Sequence, residues 1–328
     1  GVLLAVASKN DESAALEAIQ RHPEMILKLE DFVAWRINWK DKADNIIELV
    51  NELNLGMDAV VFIDDDEHER QRVKHALPEA YVPDWPTDKT QYASHLLSLR
   101  CFDSLQISAE DAARTKMYQA ETTRSQARGH HVSAEEWLAA SELKVTVQRL
   151  EEVDLPRVVQ LINKTNQMNL TTRRVSEMEL KRWCENTGAA VWSIRVSDRF
   201  GDSGLCGVLS AAVDTDTQDA VRIVDFVLSC RVIGRTIEDV MLHLAVQWAR
   251  SLHKAKVSAT YVPSERNAVC LNFWMNSGCE WQEKDSTFVW PVDQPHFPPR
   301  YIQLRGDTPD GHGETPLQRA EGVRALGI

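Results

Sequence analysis

Val60-Val61-Phe62-Ile63-Asp64-Asp65-Asp66 is an unbroken apolar run that stops on three consecutive carboxylates. Val, Ile and Phe in such a run predict a strand buried on both faces, as in a parallel sheet covered by helices. Ligands in open parallel sheets bind outside the carboxyl ends of the strands. Carboxylates gathered there repel one another unless something neutralises them, and a hard cation with oxygen ligands does so. A solvated acidic turn after a strand is the plainer alternative for the same residues.

The chain is 328 residues long, enough for two domains with separate cores. A net charge of -12 excludes a mainly nucleic-acid-binding surface, because phosphate neutralisation needs clustered Lys and Arg. The six cysteines are scattered without a C-x-x-C pair or metal-site spacing. With no signal peptide, that predicts free thiols in a reducing, cytoplasmic compartment. The apolar opening Val2 to Ala7 is too short to span a membrane and has no basic residues ahead of it. Because it begins with Gly1 rather than Met, the chain reads as a piece of something longer.

The overall pattern predicts an α/β chain. Val2 to Ala7 reads as a buried strand, followed by a helix through Ala14, Leu16 and Ile19 that Ser8 or Asn10 would cap. A second helix covers about Asp41 to Leu53, stops near Gly56, and leads to the strand ending at Asp64. Strand-helix-helix-strand at this spacing is a βαβ-type unit with a parallel sheet. Ala80 to Pro83 offers a further short strand. From 106 to 142 the composition shifts to Ala, Glu, Arg and Gln, predicting a solvated helical linker broken at Gly129-His130-His131.

The second half is of α+β type. Strands are predicted over Val145 to Leu150, Val191 to Val196, Cys206 to Val213, Ile223 to Leu228, Val257 to Val262 and Thr287 to Trp290. Helices are predicted over Leu155 to Asn163 and from Ile237 to Leu252. Residues 298–328, rich in Pro, Gly and charge, read as a disordered tail.

Three features of the first half fit one chemistry. Ser8 ends one strand, Lys42 opens a helix, and Asp64 and Asp65 end another strand. A hydroxyl, a cation and a metal-holding carboxylate pair are what phosphoryl transfer needs, since charge on the transferred oxygens must be offset in a preorganised site.

Ala7-Ser8-Lys9-Asn10, Lys42 and Phe62-Ile63-Asp64-Asp65-Asp66-Glu67-His68-Glu69-Arg70 resemble the second, third and fourth motifs of the haloacid dehalogenase (HAD) superfamily. More closely, the chain resembles the FkbH-like subgroup, in which such a domain precedes an acetyltransferase-like (GNAT-like) domain. Thr165 to Arg173, Asp198 to Asp202 and Leu228 to Arg235 extend the resemblance to about residue 295. It implies a partial HAD-like Rossmann-type domain at 1–105, the linker at 106–142 and a GNAT-like domain at 143–297.

The resemblance also implies a reaction. FkbH-like enzymes take the acyl phosphate of 1,3-bisphosphoglycerate, remove phosphate and load the glyceryl group on an acyl carrier protein for polyketide synthesis. Carried over, Ser8 would hydrogen-bond the phosphoryl group, Lys42 would neutralise it, and Asp64 and Asp65 would hold Mg2+. The family's first motif, Asp-x-Asp-Asn-Thr with its nucleophilic aspartate, does not occur in residues 1–328. Phosphoryl transfer through an aspartyl-phosphate is therefore not expected of these residues alone.

In the second half, Cys230-Arg231-Val232-Ile233-Gly234-Arg235 lies between a strand and a helix, where backbone amides can approach a phosphate. The resemblance implies that this loop meets the phosphopantetheine arm of the carrier, with Arg231 and Arg235 near its phosphate. A plain helix-start turn with two exposed arginines is the alternative. Cys230, before a helix N-terminus and beside arginine, is a candidate thioester nucleophile or else a small buried residue. The other thiols Cys184, Cys206, Cys270 and Cys279 read as packing. Asn166, Asn169, Thr171, Thr172 and Arg173 are candidate acyl-site residues or a capped loop. Asn267 is a candidate pantetheine contact. An acidic chain facing an acidic carrier protein needs a basic patch, for which Arg173, Arg174, Arg231 and Arg235 are candidates. Two other readings remain: a silent carrier-docking module, and a Mg2+-dependent phosphatase of small metabolites. Neither nucleic acid nor membrane is an expected partner.

Overall fold

The computed structural model describes residues 1–103, 109–128, 133–185 and 189–308. The predicted break at Gly129-His130-His131 and positions 309–328 lie outside the described residues. The chain divides into two compact units, Gly1–Ser125 and Gln126–Ile328.

Parallel pairing organises the first unit. β1 (Leu4–Ser8) runs beside β2 (Phe32–Ile37), with Ser8 opposite Ile37. α1 (Glu12–Arg21) connects them and is capped by the Asp11 carboxylate, which accepts from the Ala14 amide, rather than by Ser8 or Asn10. The strand β2 is absent from the sequence prediction, because Trp35 and Arg36 interrupt its apolar run. α2 (Lys42–Glu52) forms as predicted. Asp41 caps it, and Ile46, Leu49 and Val50 recur on its buried face.

The Val60 run differs from its prediction. It is extended but makes one parallel bridge, Val61 to Tyr81, with Phe62 N–H donating to Tyr81 O at 3.0 Å. Phe62 is buried, whereas Val60, Val61 and Ile63 are half-buried. β1 is likewise not a buried strand: Val2 is 53% and Leu4 36% exposed. Burial on both faces needs helices above and below, and among the described residues the β1 ladder reaches β2 alone.

α3 (Glu67–Ala76), capped by Asp66, packs Val73 against Ile46, Phe62 and Val82. α4 (Tyr92–Ser98) and α5 (Ala109–Ala112) lead to α6 (Arg114–Arg128). The predicted solvated linker is partly packed instead. Tyr118 of α6 joins a cluster with Val33, Ala34, Leu49 and Leu53, and Trp137 and Leu138 of α7 (Ala134–Ala140) are buried.

The second unit is one mixed sheet in the order β11-β3-β5-β6-β7-β8-β10-β9. Its strands are β3 (Lys144–Arg149), β4 (Met168–Asn169), β5 (Ala189–Asp198), β6 (Gly201–Val213), β7 (Ala220–Leu228), β8 (Lys256–Thr260), β9 (Glu280–Gln282), β10 (Thr287–Pro291) and β11 (Gln303–Gly306). Side chains alternate between faces, as strand geometry requires. Val191, Leu205 and Val208 pack with α8 (Leu155–Lys164) and α9 (Glu177–Cys184), while Trp192, Leu209 and Phe226 pack with α10 (Ile237–Ser251). α11 (Ala268–Asn276) adds Trp274 to that second core. The predicted tail is overturned over its first part. Ile302 is 2% exposed and β11 pairs in parallel with β3, because Ile302 and Leu304 supply apolar anchors that the Pro-rich composition conceals. No helix among the described residues is long and apolar enough to cross a membrane.

Candidate active site

The carboxyl ends of the first unit's parallel segments carry Ser8, the Lys42 helix start and Asp64. Asp41 fixes the first turn of α2 and so aims Lys42 at the end of the Val60 run. Lys42 Nζ lies 2.6 Å from Asp64 Oδ2, with the side chains only 12% and 9% exposed. The other Asp64 oxygen accepts from the Asp66 amide at 3.0 Å. Asp64 is thus held by a turn on one side and by a cation on the other. Asp65 follows it, exposed, and Ser8 is half-buried with its carbonyl accepting from Asn38 N–H at 3.0 Å.

Charged residues that the sequence reading left without a role surround this pair. Arg70 is buried and donates through Nη1 to the Asp64 carbonyl at 2.8 Å and through Nη2 to Glu67 at 2.9 Å. Lys9 Nζ meets Glu69 Oε1 at 2.6 Å, joining the end of β1 to α3 and holding the Lys9 ammonium above its ordinary pKa. Arg72 pairs with Asp41 at 2.9 Å and, with the Ala43 amide, keeps that carboxyl below the usual range. Glu69 Oε2 is buried with no hydrogen-bond partner among the described residues. A cavity of about 150 Å³ opens beside Arg70, between Lys74 and the Val82–Trp85 segment. The local signal for Lys9, Glu69 and Arg70 was only their adjacency to Ser8 and Asp64; the orientation of α3 supplies the rest.

Two neighbouring carboxylates give a hard, all-oxygen donor set. Mg2+ takes one or two carboxylates and completes its shell with water and phosphate oxygens, so Asp64 and Asp65 fit it. Among the described residues, no group of three His, Cys, Asp or Glu side chains is placed to hold a metal by itself.

In the second unit the predicted ligand contacts are largely engaged by protein. The Asn169 amide, 1% exposed, donates to Ile162 O at 3.3 Å and Thr165 O at 3.0 Å, and accepts from the Thr171 and Thr172 amides at 3.3 and 2.8 Å. Asn267, 0% exposed, accepts from Tyr261 Oη at 2.7 Å and Ser264 N–H at 2.8 Å, and donates to Asn169 O at 3.0 Å and Val262 O at 2.9 Å. Both amides have their two donors and two acceptor sites filled, which leaves none for a ligand hydroxyl. Arg173 forms a bidentate pair with fully buried Asp225, which the Ser210 hydroxyl also contacts. Thr171 Oγ1 donates to Val224 O at 3.3 Å, and Asn166 Oδ1 accepts from Arg174 at 2.9 Å. The expected roles of Asn169, Asn267 and Arg173 as ligand contacts are therefore corrected to fastening the α8–α9 loop.

The Cys230 loop is also tied inward. Cys230 opens a 3-10 turn, and α10 begins only at Ile237, so the thiol does not sit at the helix N-terminus as predicted. Arg235, 8% exposed at its side chain, pairs with Asp198 at 3.3 Å and donates to Arg231 O. With Arg173 and Arg235 paired to buried aspartates, the proposed basic patch loses two of its four charges. Gly234 adopts φ +79° and its amide approaches Glu238 Oε1 at 3.5 Å. Burial pushes the Glu238 carboxyl up to about 7. It likewise pushes the thiols of Cys270 and Cys279 up to about 12 and about 11, in keeping with packing roles. Cys184 and Cys206 are raised by burial in the same direction.

With this geometry in place, comparison with known proteins adds likenesses. No family model and no curated protein matches the chain. The amino-terminal part of BF1531 from Bacteroides fragilis, solved with a phosphatase domain complexed with Mg, is 41% identical over 33% of this chain and 28% of its own, with a TM-score of 0.32. The chain thus spans 28% of that structure's length. The ribosomal-protein-S18-alanine N-acetyltransferase of Escherichia coli is 10% identical over 46% of this chain and 96% of its own, with a TM-score of 0.34. Aminoglycoside acetyltransferase AAC(6')-Ib in complex with coenzyme A is 13% identical over 45% of this chain and 94% of its own, with a TM-score of 0.35. At these TM-scores the likenesses carry no argument of their own.

Proposed function

We propose that the chain is part of an FkbH-like glyceryl transferase/phosphatase that acts on 1,3-bisphosphoglycerate and delivers the glyceryl group to the phosphopantetheine thiol of an acyl carrier protein. The observation carrying this reading is the half-buried Lys42–Asp64 pair at the carboxyl ends of parallel segments. A cation and a carboxylate held together there suit the binding of a metal-bridged phosphoryl group. Ser8 would donate to a phosphoryl oxygen and Lys42 would offset its charge. Asp64 and Asp65 would hold Mg2+, whose charge offsets that of the remaining phosphoryl oxygens. Arg70 fixes the Asp64 backbone, so the carboxylates need little reorganisation when the substrate arrives. An aspartate from the family's first motif would be the nucleophile, and the Asp-x-Asp-Asn-Thr sequence is not within residues 1–328. Cys230 is the thiol proposed to attack the acyl carbon, forming a glyceryl thioester as the C1 phosphate leaves. The aspartate would take the remaining C3 phosphoryl group for hydrolysis, and the carrier thiol would then displace Cys230 from the thioester.

Intact-protein mass spectrometry tests the reading on this chain and on a version extended at its amino end by that motif. Each is incubated with 1,3-bisphosphoglycerate, Mg2+ and a phosphopantetheinylated carrier protein. A glyceryl adduct on the carrier with the extended version, lost on Lys42→Ala, is the expected result, and loss on Cys230→Ala supports the thioester step. Phosphate release without an adduct would leave only the phosphatase reading, and neither product would sink both.

A further inference from the structure

β7 and β8 run parallel and share register only from Ala220–Lys256 to Ile223–Ala259. Beyond Ile223 the two strands no longer pair, and β7 continues for five residues to Leu228. Its opposite edge pairs with β6 up to Leu228, with one irregularity at Val224. A strand edge opened in this way presents unpaired N–H and C=O groups, and any extended amide-bearing chain can lie along it as an added strand. The pantetheine arm, with two amides, is such a chain.

The edge is already taken. β4 pairs antiparallel to it, Met168 opposite Leu228 and Asn169 opposite Val227, and Leu170 N–H donates to Phe226 O at 3.3 Å. The same segment reaches the far side of the fork. Val262 N–H donates to Leu170 O at 3.0 Å and Asn267 Nδ2 to Asn169 O at 3.0 Å. The side chains of Met168, Asn169 and Leu170 are at most 1% exposed. The Asn169 and Asn267 amides described above lock the turn behind it, with Thr172 held at φ +51°, a left-handed conformation costly for a β-branched residue.

Resting on the reading that a pantetheine arm is the partner, we propose that β4 is a specificity-determining element that closes the β7–β8 fork. It excludes an extended pantetheine arm, coenzyme A included, so the carrier thiol approaches without being threaded between these strands. The α8–α9 loop supplies from within the chain the backbone partners that such an arm would otherwise supply.

Isothermal titration of the chain with coenzyme A and with 4'-phosphopantetheine, coupled to hydrogen exchange over 166–172 and 222–230, tests this. The expected result is no change in exchange at either segment, with or without weak binding elsewhere. Saturable binding that alters exchange over 222–230 and expels 166–172 overturns the proposal. Asn169→Ala removes four hydrogen bonds from the segment and should speed its exchange at least tenfold while admitting coenzyme A to the fork. A folded Asn169→Ala protein that exchanges faster yet still ignores coenzyme A overturns the role of β4. Failure of carrier loading would instead strike the functional reading and leave the fork result standing.

Discussion

Asp225 and Asp64 show how far a single side chain depends on one partner. Asp225 is fully buried, and its charge is tolerated because Arg173 meets it with both arms of the guanidinium. Removing the arginine strands a buried carboxylate, at a cost of about 3 kcal/mol or more. Arg173→Met should therefore lower the stability of the second unit by that amount in urea unfolding. Asp225→Asn should recover much of the loss, and simple additivity of the two changes would contradict a coupled pair. Lys42→Met should destabilise the first unit by about 3 kcal/mol through Asp64, read from denaturant midpoints in the same way. Lys42 was legible from sequence because a helix start is a local signal, an Asp cap followed by apolar residues at helical spacing. Arg173 was singled out too, but for a ligand, because sequence shows its charge and not the aspartate 52 positions away that satisfies it.

At the scale of elements, two glycines separate conformational from steric demands. Gly234 has φ +79° and open space where a Cβ would stand. Gly234→Ala should cost only the backbone strain, about 1 kcal/mol. Gly306 in β11 has φ +97°, and a Cβ there would lie 2.0 Å from Val147 O. Gly306→Ala should detach β11 from β3, measured as faster hydrogen exchange of the Gln303 and Asp307 amides that donate to Leu143 O and Val147 O. Unchanged exchange would mean that the strand end yields without releasing the ladder. β11 was missed because four residues among prolines carry little periodic signal; burial of Ile302 and Leu304 under a sheet edge makes the strand. β5, β6, β7 and α10 were legible because each is long enough for its own period to stand out.

For the whole second unit, two buried groups predict how stability varies with pH. Glu238 is raised from 4.5 to about 7 by burial, so between those values the folded chain keeps a proton that the unfolded chain has released. Its contribution is complete below about pH 4.5 and is lost as pH rises through about 7, by up to about 3 kcal/mol. His296 is depressed from 6.5 to about 4 by burial, with His243 and Arg250 adding to the effect. Its contribution is present above pH 6.5 and is lost as pH falls toward 4. The two windows overlap and their slopes are opposite, so stability of this unit should be nearly level between about pH 4.5 and 6.5. Glu238→Gln should leave a stability that rises with pH across that range, and His296→Phe one that falls with pH, in thermal unfolding scanned from pH 4 to 8. A Glu238→Gln profile as level as the wild type's would remove the carboxyl from that role.

The sequence by itself determined the α/β class, the helix that opens at Lys42 and the α+β character of the second unit. Those properties follow from periodicity and capping within some ten residues. Only the tertiary structure decided which polar residues are available for chemistry. Asn169 and Asn267 look alike to Asn166 in sequence, yet the first two bond to each other across 98 positions and vanish into the core. The tertiary structure likewise decided that Met168–Leu170 fills the gap between β7 and β8, since a pair of residues forms a strand only when a diverging edge is there to receive it.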